Sequence, residues 1–164
     1  MTPIDQVRTR ALAMHASGEP LREVLAVLVR EAEAVSGSGA TCSILLLDKE
    51  GLLRNGASPD LPADYLDAID RLKPDPNLGT CAAAAATGKV VITPSFLTDR
   101  KWAELRHLPL ALGFEGAWSM PIIGRSAKVL GTFGTYFRMR REPRPDEHAA
   151  VSGLASVAAE VIEG

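Results

Sequence analysis

The stretch Gly113–Phe137, GFEGAWSMPIIGRSAKVLGTFGTYF, constrains the fold of this chain more than any other. Two apolar runs flank a short polar turn, which reads as one long β-hairpin. In the second run Val129, Gly131, Phe133, Thr135 and Phe137 fall on one face while Leu130, Thr132, Gly134 and Tyr136 fall on the other, the two-residue period of a strand. Both faces must therefore meet something, and the hairpin predicts a central sheet covered on both sides. Gly131 and Gly134 remove side-chain bulk from a segment that otherwise favours a strand, which predicts close approach of backbone, helix or ligand there.

The flanking segments supply the covering layers. Thr2 followed by Pro3, with Asp5 in the first turn, starts a helix, because threonine caps free amides and proline needs no amide partner at that position. Ile4, Val7, Ala11 and Met14 mark its stripe until Gly18 and Pro20 break it. Leu21, Val24, Leu25, Leu28, Ala32 and Val35 then repeat at helical spacing, predicting a second helix that packs on the sheet and ends in SGSG at 36–39. TCSILLLD reads as a first strand, turning at Lys49, Glu50 and Gly51 into a second, LLRNGAS. The middle is less regular: a short helix over 62–72, a loop PDPN at 74–77, an alanine run Ala82–Ala86 stopped by Thr87 and Gly88, a short strand VVI, and irregular helices across 98–113 interrupted at Pro109. The small side chains of the alanine helix let it lie close against a sheet or ligand. Pro145, with Asp146 and Glu147 in a first turn, opens a last helix whose stripe is Val151, Leu154, Ala155, Ala158 and Val161.

Composition restricts the functional classes. At 164 residues, with 46% hydrophobic and 23% charged residues, the chain can build one core without disulfides or metals. A formal charge of −2 leaves no basic field for nucleic acid or anionic lipid. The one basic cluster, Arg138, Arg140, Arg141 and Arg144, reads as a solvated loop. Cys42 and Cys81 make neither a disulfide framework nor a zinc pattern, which fits a reducing cytoplasm. No stretch has signal-peptide character or approaches the ~18 apolar residues of a membrane span. His15, His107 and His148 have no metal-ligand spacing, and there is no GxGxxG, GxxxxGK[ST] or GxSxG motif, so no catalytic set is visible.

AWSMPI at 117–122 and VLGTFGTYF at 129–137 resemble the closing strands of a GAF domain, the small-molecule sensing module of bacterial signalling proteins. SILLLD at 43–48, NGASPDLPADYLDAI at 55–69, LGTCAAAAATGKVVI at 78–92 and TDRKWAELRHLPLALGF at 98–114 follow the order and about the spacing of the subgroup found beside histidine kinases and cyclic-dinucleotide enzymes. The resemblance covers about residues 20–162. It implies an α+β fold: an α/β/α sandwich with a central, mainly antiparallel sheet, terminal helices on one face and irregular, ligand-facing segments on the other. Residues 1–164 would then be a single GAF domain with an N-terminal helix at 3–16. The resemblance further implies a non-enzymatic sensor in signal transduction of the two-component kind, with a small-molecule ligand between sheet and central segments. The terminal helices would form the homodimer and relay surface toward a kinase or cyclase output.

The candidate ligand-binding residues are Phe96, Trp102, Leu105, Phe114, Trp118 and Cys81. The two tryptophans, one in the central segment and one on the hairpin strand expected to face it, each offer an aromatic face and one N–H donor, suited to an organic ligand. Plain core packing uses the same residues, and both readings stand. Cys81, ahead of the alanine run, reads more readily as an inert buried thiol than as a nucleophile, since no basic neighbour is visible. A thiol-based redox enzyme or redox sensor using Cys81 is the alternative function. GAF-like methionine sulfoxide reductases need further cysteines that this chain lacks, and phytochrome-type attachment places histidine where Ala82 stands. His107 in WAELRHLPL is a haem-ligand candidate of lower standing. Arg106 and Glu104 read as a solvated helix face. The residues name neither ligand nor cofactor. Ala150, Gly153, Ser156 and Ala159 let a second helix approach closely, predicting a homodimer that glutamate at Leu154 and Val161 breaks.

Overall fold

A computed structural model describes all 164 residues. Its elements run α1 (Pro3–Ala16), α2 (Leu21–Ser36), β1 (Thr41–Leu47), β2 (Leu53–Ala57), α3 (Ala63–Ile69), α4 (Cys81–Thr87), β3 (Val91–Thr93), a 3-10 turn (Arg100–Trp102), α5 (His107–Ala111), β4 (Gly116–Ile123), β5 (Val129–Phe137) and α6 (Pro145–Glu163). The five strands form one sheet in the order β2-β1-β5-β4-β3, with every pairing antiparallel. The α+β sandwich with terminal helices on one face is borne out.

Alternation along β5 splits the protein into two cores. Phe133 and Phe137 point to the face covered by α1, α2 and α6, where Leu25, Leu28, Ile44, Leu154 and Val161 are buried. Tyr136 points the other way, into a smaller core with Leu45, Tyr65, Phe96, Trp102 and Phe114. Thr2 accepts the Asp5 backbone N–H and Asp5 reciprocates, closing the expected cap of α1. Helix α1 runs parallel to α6: Ile4 lies beside Gly153, the Arg8 guanidinium pairs with Glu160 at 2.8 Å, and His15 reaches Gly164.

The glycines of β5 act where the pattern predicted. A Cβ on Gly131 would collide with the Leu45 carbonyl, and one on Gly134 would stand 3.0 Å from the Cys81 sulfur. Cys81 opens α4, which lies on β4 and β5. The sheet under it offers only the small side chains of Ser43, Ser119 and Gly134, paired in register across three strands.

Several expectations change. The arginine cluster is only in part a solvated loop: Arg140 is exposed, while Arg138, Arg141 and Arg144 have specific partners. Arg141 lies over the Phe137 ring at 3.8 Å and donates to the fully buried Glu147 carboxylate and to the Ser36 carbonyl. Arg144 adds a bond to the Val35 carbonyl, so the end of α2 and the start of α6 are tied together. Arg138 stacks on Phe114 at 4.7 Å and donates to the Leu112 carbonyl. Buried carboxylate, aromatic faces and free helix carbonyls recruit these cations; Phe137 and Glu147 are close in the chain, but Phe114 and the Leu112, Val35 and Ser36 carbonyls are not. Pro109 does not interrupt a helix: it sits in the first turn of α5, where its missing N–H is harmless. Leu154 and Val161 belong to the core, not to an outer surface, and Gly153 already packs on α1.

On the edge of the helix layer, Glu33 of α2 accepts the Cys42 backbone N–H at 3.0 Å. Burial, reinforced by the neighbouring Asp60 carboxyl, pushes Glu33 up to about 7.

Candidate functional site

Between the sheet and the segments from Tyr65 to Phe114 lies a cavity of about 20 Å³, room for roughly one water molecule. Its floor is Leu45 of β1, Ala117 of β4 and Gly134 and Tyr136 of β5. Its roof is Tyr65 and Ile69 of α3, the Gly79–Ala82 corner, Trp102 and Leu105. An aromatic chain fills the surrounding space: Phe96 meets Trp102 edge-on at 4.6 Å, Phe114 lies 5.1 Å from Tyr136, and Tyr65 meets Tyr136 edge-on at 5.8 Å.

Trp102 is held in the roof by a directed chain of hydrogen bonds. Its indole Nε1 donates to Thr80 Oγ1 at 2.8 Å, and Thr93 Oγ1 donates to Asp99 Oδ2 at 2.6 Å. With Thr93 committed as donor to a carboxylate, the 3.0 Å contact between Thr80 and Thr93 leaves Thr80 donating. Burial raises Asp99, but hydrogen bonds from Thr93 and from the side chain and backbone of Lys101 outweigh it and hold the carboxyl below its ordinary value. Gly79, at φ +59°, passes close to the Trp102 ring and donates its N–H to the Lys101 carbonyl. Arg106 braces the same segment through the Leu97 and Asp99 carbonyls, so it is not simply part of a solvated face.

Of the predicted residues, the structure brings Trp102, Leu105 and Cys81 to the cavity, with Phe96 and Phe114 buried directly behind its wall. Trp118 also borders the cavity, from β4, but its ring lies on the opposite face, stacked on His148 at 5.5 Å among the helix-side residues. The cause is a bulge in the hairpin: Ile123 pairs with Val129 but Ile122 pairs with Gly131, leaving Leu130 as an extra residue. One inserted residue turns the following pairs to the other face, so Trp118 joins Thr135 rather than Gly134.

The Cys81 sulfur accepts a hydrogen bond from Ser119 Oγ at 3.5 Å. Burial raises the thiol, against weaker lowering by Ser119 and Thr132, so the thiolate is disfavoured. Cys42, on the helix side, is pushed up to about 12 by burial. His107 is exposed on α5 and does not line the cavity. No three His, Cys, Asp or Glu side chains cluster as metal ligands. No helix is long and apolar enough to cross a membrane.

Tyr65, Thr80 and Tyr136 are the site residues that the motif reading missed. Alternation already set Tyr136 opposite Phe133 and Phe137; Tyr65 and Thr80, on α3 and the corner before α4, carry no local signal. The two phenol oxygens lie 2.7 Å apart across 71 residues of sequence.

A family model described as GAF domain matches residues 18–163. The methyl sulfide methyltransferase-associated sensor of Methanosarcina acetivorans is 37% identical over 157 residues, covering 95% of this chain; the chain spans 16% of that protein's length. Among solved structures, a domain of a two-component sensor histidine kinase protein from Sinorhizobium meliloti superposes with a TM-score of 0.73 at 18% identity, covering 88% of this chain and 92% of the other. A type II free methionine-R-sulfoxide reductase from Thermoplasma acidophilum superposes with a TM-score of 0.70 at 11% identity, covering 96% of this chain and 95% of the other. At those identities the two structures speak to the fold alone.

Proposed function

Because the chain belongs to the GAF domain family over residues 18–163, we propose that it is a non-enzymatic regulatory sensor that takes a small molecule into the cavity between sheet and central segments. The observation that carries this reading is the cavity itself. It is enclosed by aromatic and aliphatic side chains, and its roof hangs on one directed set of hydrogen bonds from Trp102 to Asp99. A ligand larger than water enters by displacing Trp102, Leu105 and the Gly79 corner, while the sheet stays put.

The path outward is short. Tyr136 packs on Phe114, Phe114 lies under Arg138, and Arg138 begins the segment in which Arg141 and Arg144 tie α2 to α6. A shift of Phe114 is thereby coupled to the helix layer, which acts on an output such as a kinase or cyclase. The solvent side of α6, where Ala149, Ser152 and Ser156 are exposed, is the proposed homodimer surface.

The raised thiol of Cys81 supports this reading over a redox enzyme. Two measurements test it together. Mass spectrometry of compounds released on denaturing the purified protein is expected to find a discrete small molecule. Thiol titration is expected to find Cys81 unreactive until the protein unfolds. A native Cys81 that reacts like a free exposed thiol would favour the redox reading instead.

A further inference from the structure

We infer that the cavity takes a neutral ligand with an apolar body and one hydrogen-bond acceptor, and that the Tyr65–Tyr136 hydroxyl pair holds the acceptor end. The inference rests on the pocket reading above and adds the chemical class of its ligand.

The first argument is charge. No Asp, Glu, Lys, Arg or His lines the cavity. The nearest carboxylate that the roof uses, Asp99, is already engaged by Thr93 and by Lys101 at 2.9 Å. An anion such as a phosphate or carboxylate entering here loses its hydration with no cation to replace it, and an ammonium group meets no carboxylate. Charged ligands are selected against in both signs.

The second argument is a count of protons. The Trp102 N–H is given to Thr80, the Thr80 hydroxyl to Thr93, the Thr93 hydroxyl to Asp99, and the Ser119 hydroxyl to Cys81, while the Trp118 N–H, which has no partner, belongs to a ring on the helix-side face. The two phenols bring two O–H groups, and their single 2.7 Å bond uses one of them. The protein offers the second no acceptor. Both phenols are more than nine-tenths buried, so this proton is a buried donor that a ligand oxygen, nitrogen or sulfur can satisfy. Burial raises both phenols, so the pair remains a donor at neutral pH. The remaining wall, Leu45, Ile69, Leu72 and Leu105, matches the apolar body.

Three probes of one ring size separate the possibilities at neutral pH: acetophenone, with a neutral acceptor; benzoate, with a charged one; and ethylbenzene, with none. Binding to the full chain is followed by calorimetry and tryptophan fluorescence, for the natural sequence and for a Tyr65→Phe, Tyr136→Phe double variant that keeps both rings. Acetophenone is expected to bind at least about tenfold more tightly than benzoate, and the double variant to lower its affinity about five- to tenfold while leaving ethylbenzene unchanged, as expected for the loss of one neutral hydrogen bond. Benzoate binding as tightly as acetophenone overturns the neutral-ligand assignment and leaves the pocket standing. Equal losses of acetophenone and ethylbenzene in the variant reduce the tyrosines to wall packing and overturn their role. If none of the three binds, the cavity does not open and the pocket reading itself falls. Should the double variant fail to fold, each single replacement serves. Acetophenone must then lose affinity relative to ethylbenzene in at least one of them, and equal loss of both probes in both overturns the assignment.

Discussion

Replacing Gly134 with alanine tests how closely α4 lies on the sheet. The new Cβ stands 3.0 Å from Cys81 Sγ, and the next atom, Ser43 Oγ, is at 3.8 Å. A relaxed contact needs about 3.5–4.0 Å, so something must give by more than about half an ångström. The sulfur heads a helix whose following residues, Ala82 to Ala85, are all buried, so it cannot retreat without moving α4. Overpacking of this kind typically costs ~1–3 kcal/mol. Against it, Gly134 does not have a left-handed φ, and alanine there lowers unfolded-chain entropy by about 0.4–1 kcal/mol. The net expectation is a loss of about 1 kcal/mol, which for a chain of this size lowers the melting temperature by roughly 2–4 °C. The sign alone is a weak test, and the decisive measurement is a double-mutant cycle with Cys81→Ala, which removes the colliding atom. Urea unfolding followed by fluorescence of the two buried tryptophans should give a coupling energy of about 1 kcal/mol or more between the two sites. A coupling below about 0.3 kcal/mol, the usual scatter for independent sites, would refute the close approach of α4.

Leu154→Glu, which buries a carboxylate in the helix-side core, is expected to unfold the protein or remove more than about 4 kcal/mol, by circular dichroism and thermal melting; a well-folded monomeric variant would contradict the packing of α6. Glu33 keeps its proton up to about 7 in the folded state against an ordinary value of 4.5, so between those pH values the folded form binds more protons than the unfolded and stability falls as pH rises. Glu33→Gln should flatten this slope and, after discounting for partial exposure, gain about 1–2 kcal/mol above pH 7 relative to pH 4.5; parallel urea midpoints for the two proteins across that range would refute it. Thr80→Val removes the acceptor of the Trp102 indole and should lower stability by about 1–3 kcal/mol. Hydrogen exchange should quicken in residues 98–106 of that variant, and unchanged exchange would mean that the roof is held by packing alone.

The hairpin shows both the reach and the limit of reading this sequence. Alternation along Gly131–Phe137 was enough to place two cores, but the bulge breaks the pattern before it, and Leu130, expected on the Tyr136 face, packs against the helix-side core. The face of Trp118 depends on the partner strand, and the extra residue at Leu130 has no signature in a run of apolar residues. The arginines illustrate a different limit. Arg141 finds Glu147 nearby in the chain, but its other partner, the Ser36 carbonyl, is 105 residues away, and only the antiparallel meeting of α2 and α6 brings it close. Trp102 was legible as a wall residue because a large aromatic in an irregular segment has few other places to go. That the wall closes down to a space for one water was not legible, since it follows from how Tyr65, Phe96 and Phe114 interlock across three segments.

The parallel course of α1 and α6 has a consequence for any longer polypeptide that contains such a unit. Had the two helices run in opposite directions, the chain would enter and leave at the same end, and the unit would hang from its host like a side loop. Running side by side in the same sense, with Ile4 level with Gly153 and His15 level with Gly164, they admit the chain at one end of the layer and release it at the other. The fourteen residues of α1 make that separation about 20 Å at 1.5 Å per residue. In a longer polypeptide this geometry would let such units join end to end, as links in a line. A twist or sliding of α6 against α1 then becomes a change in the direction or length of the line itself, carried along the backbone to whatever is attached next.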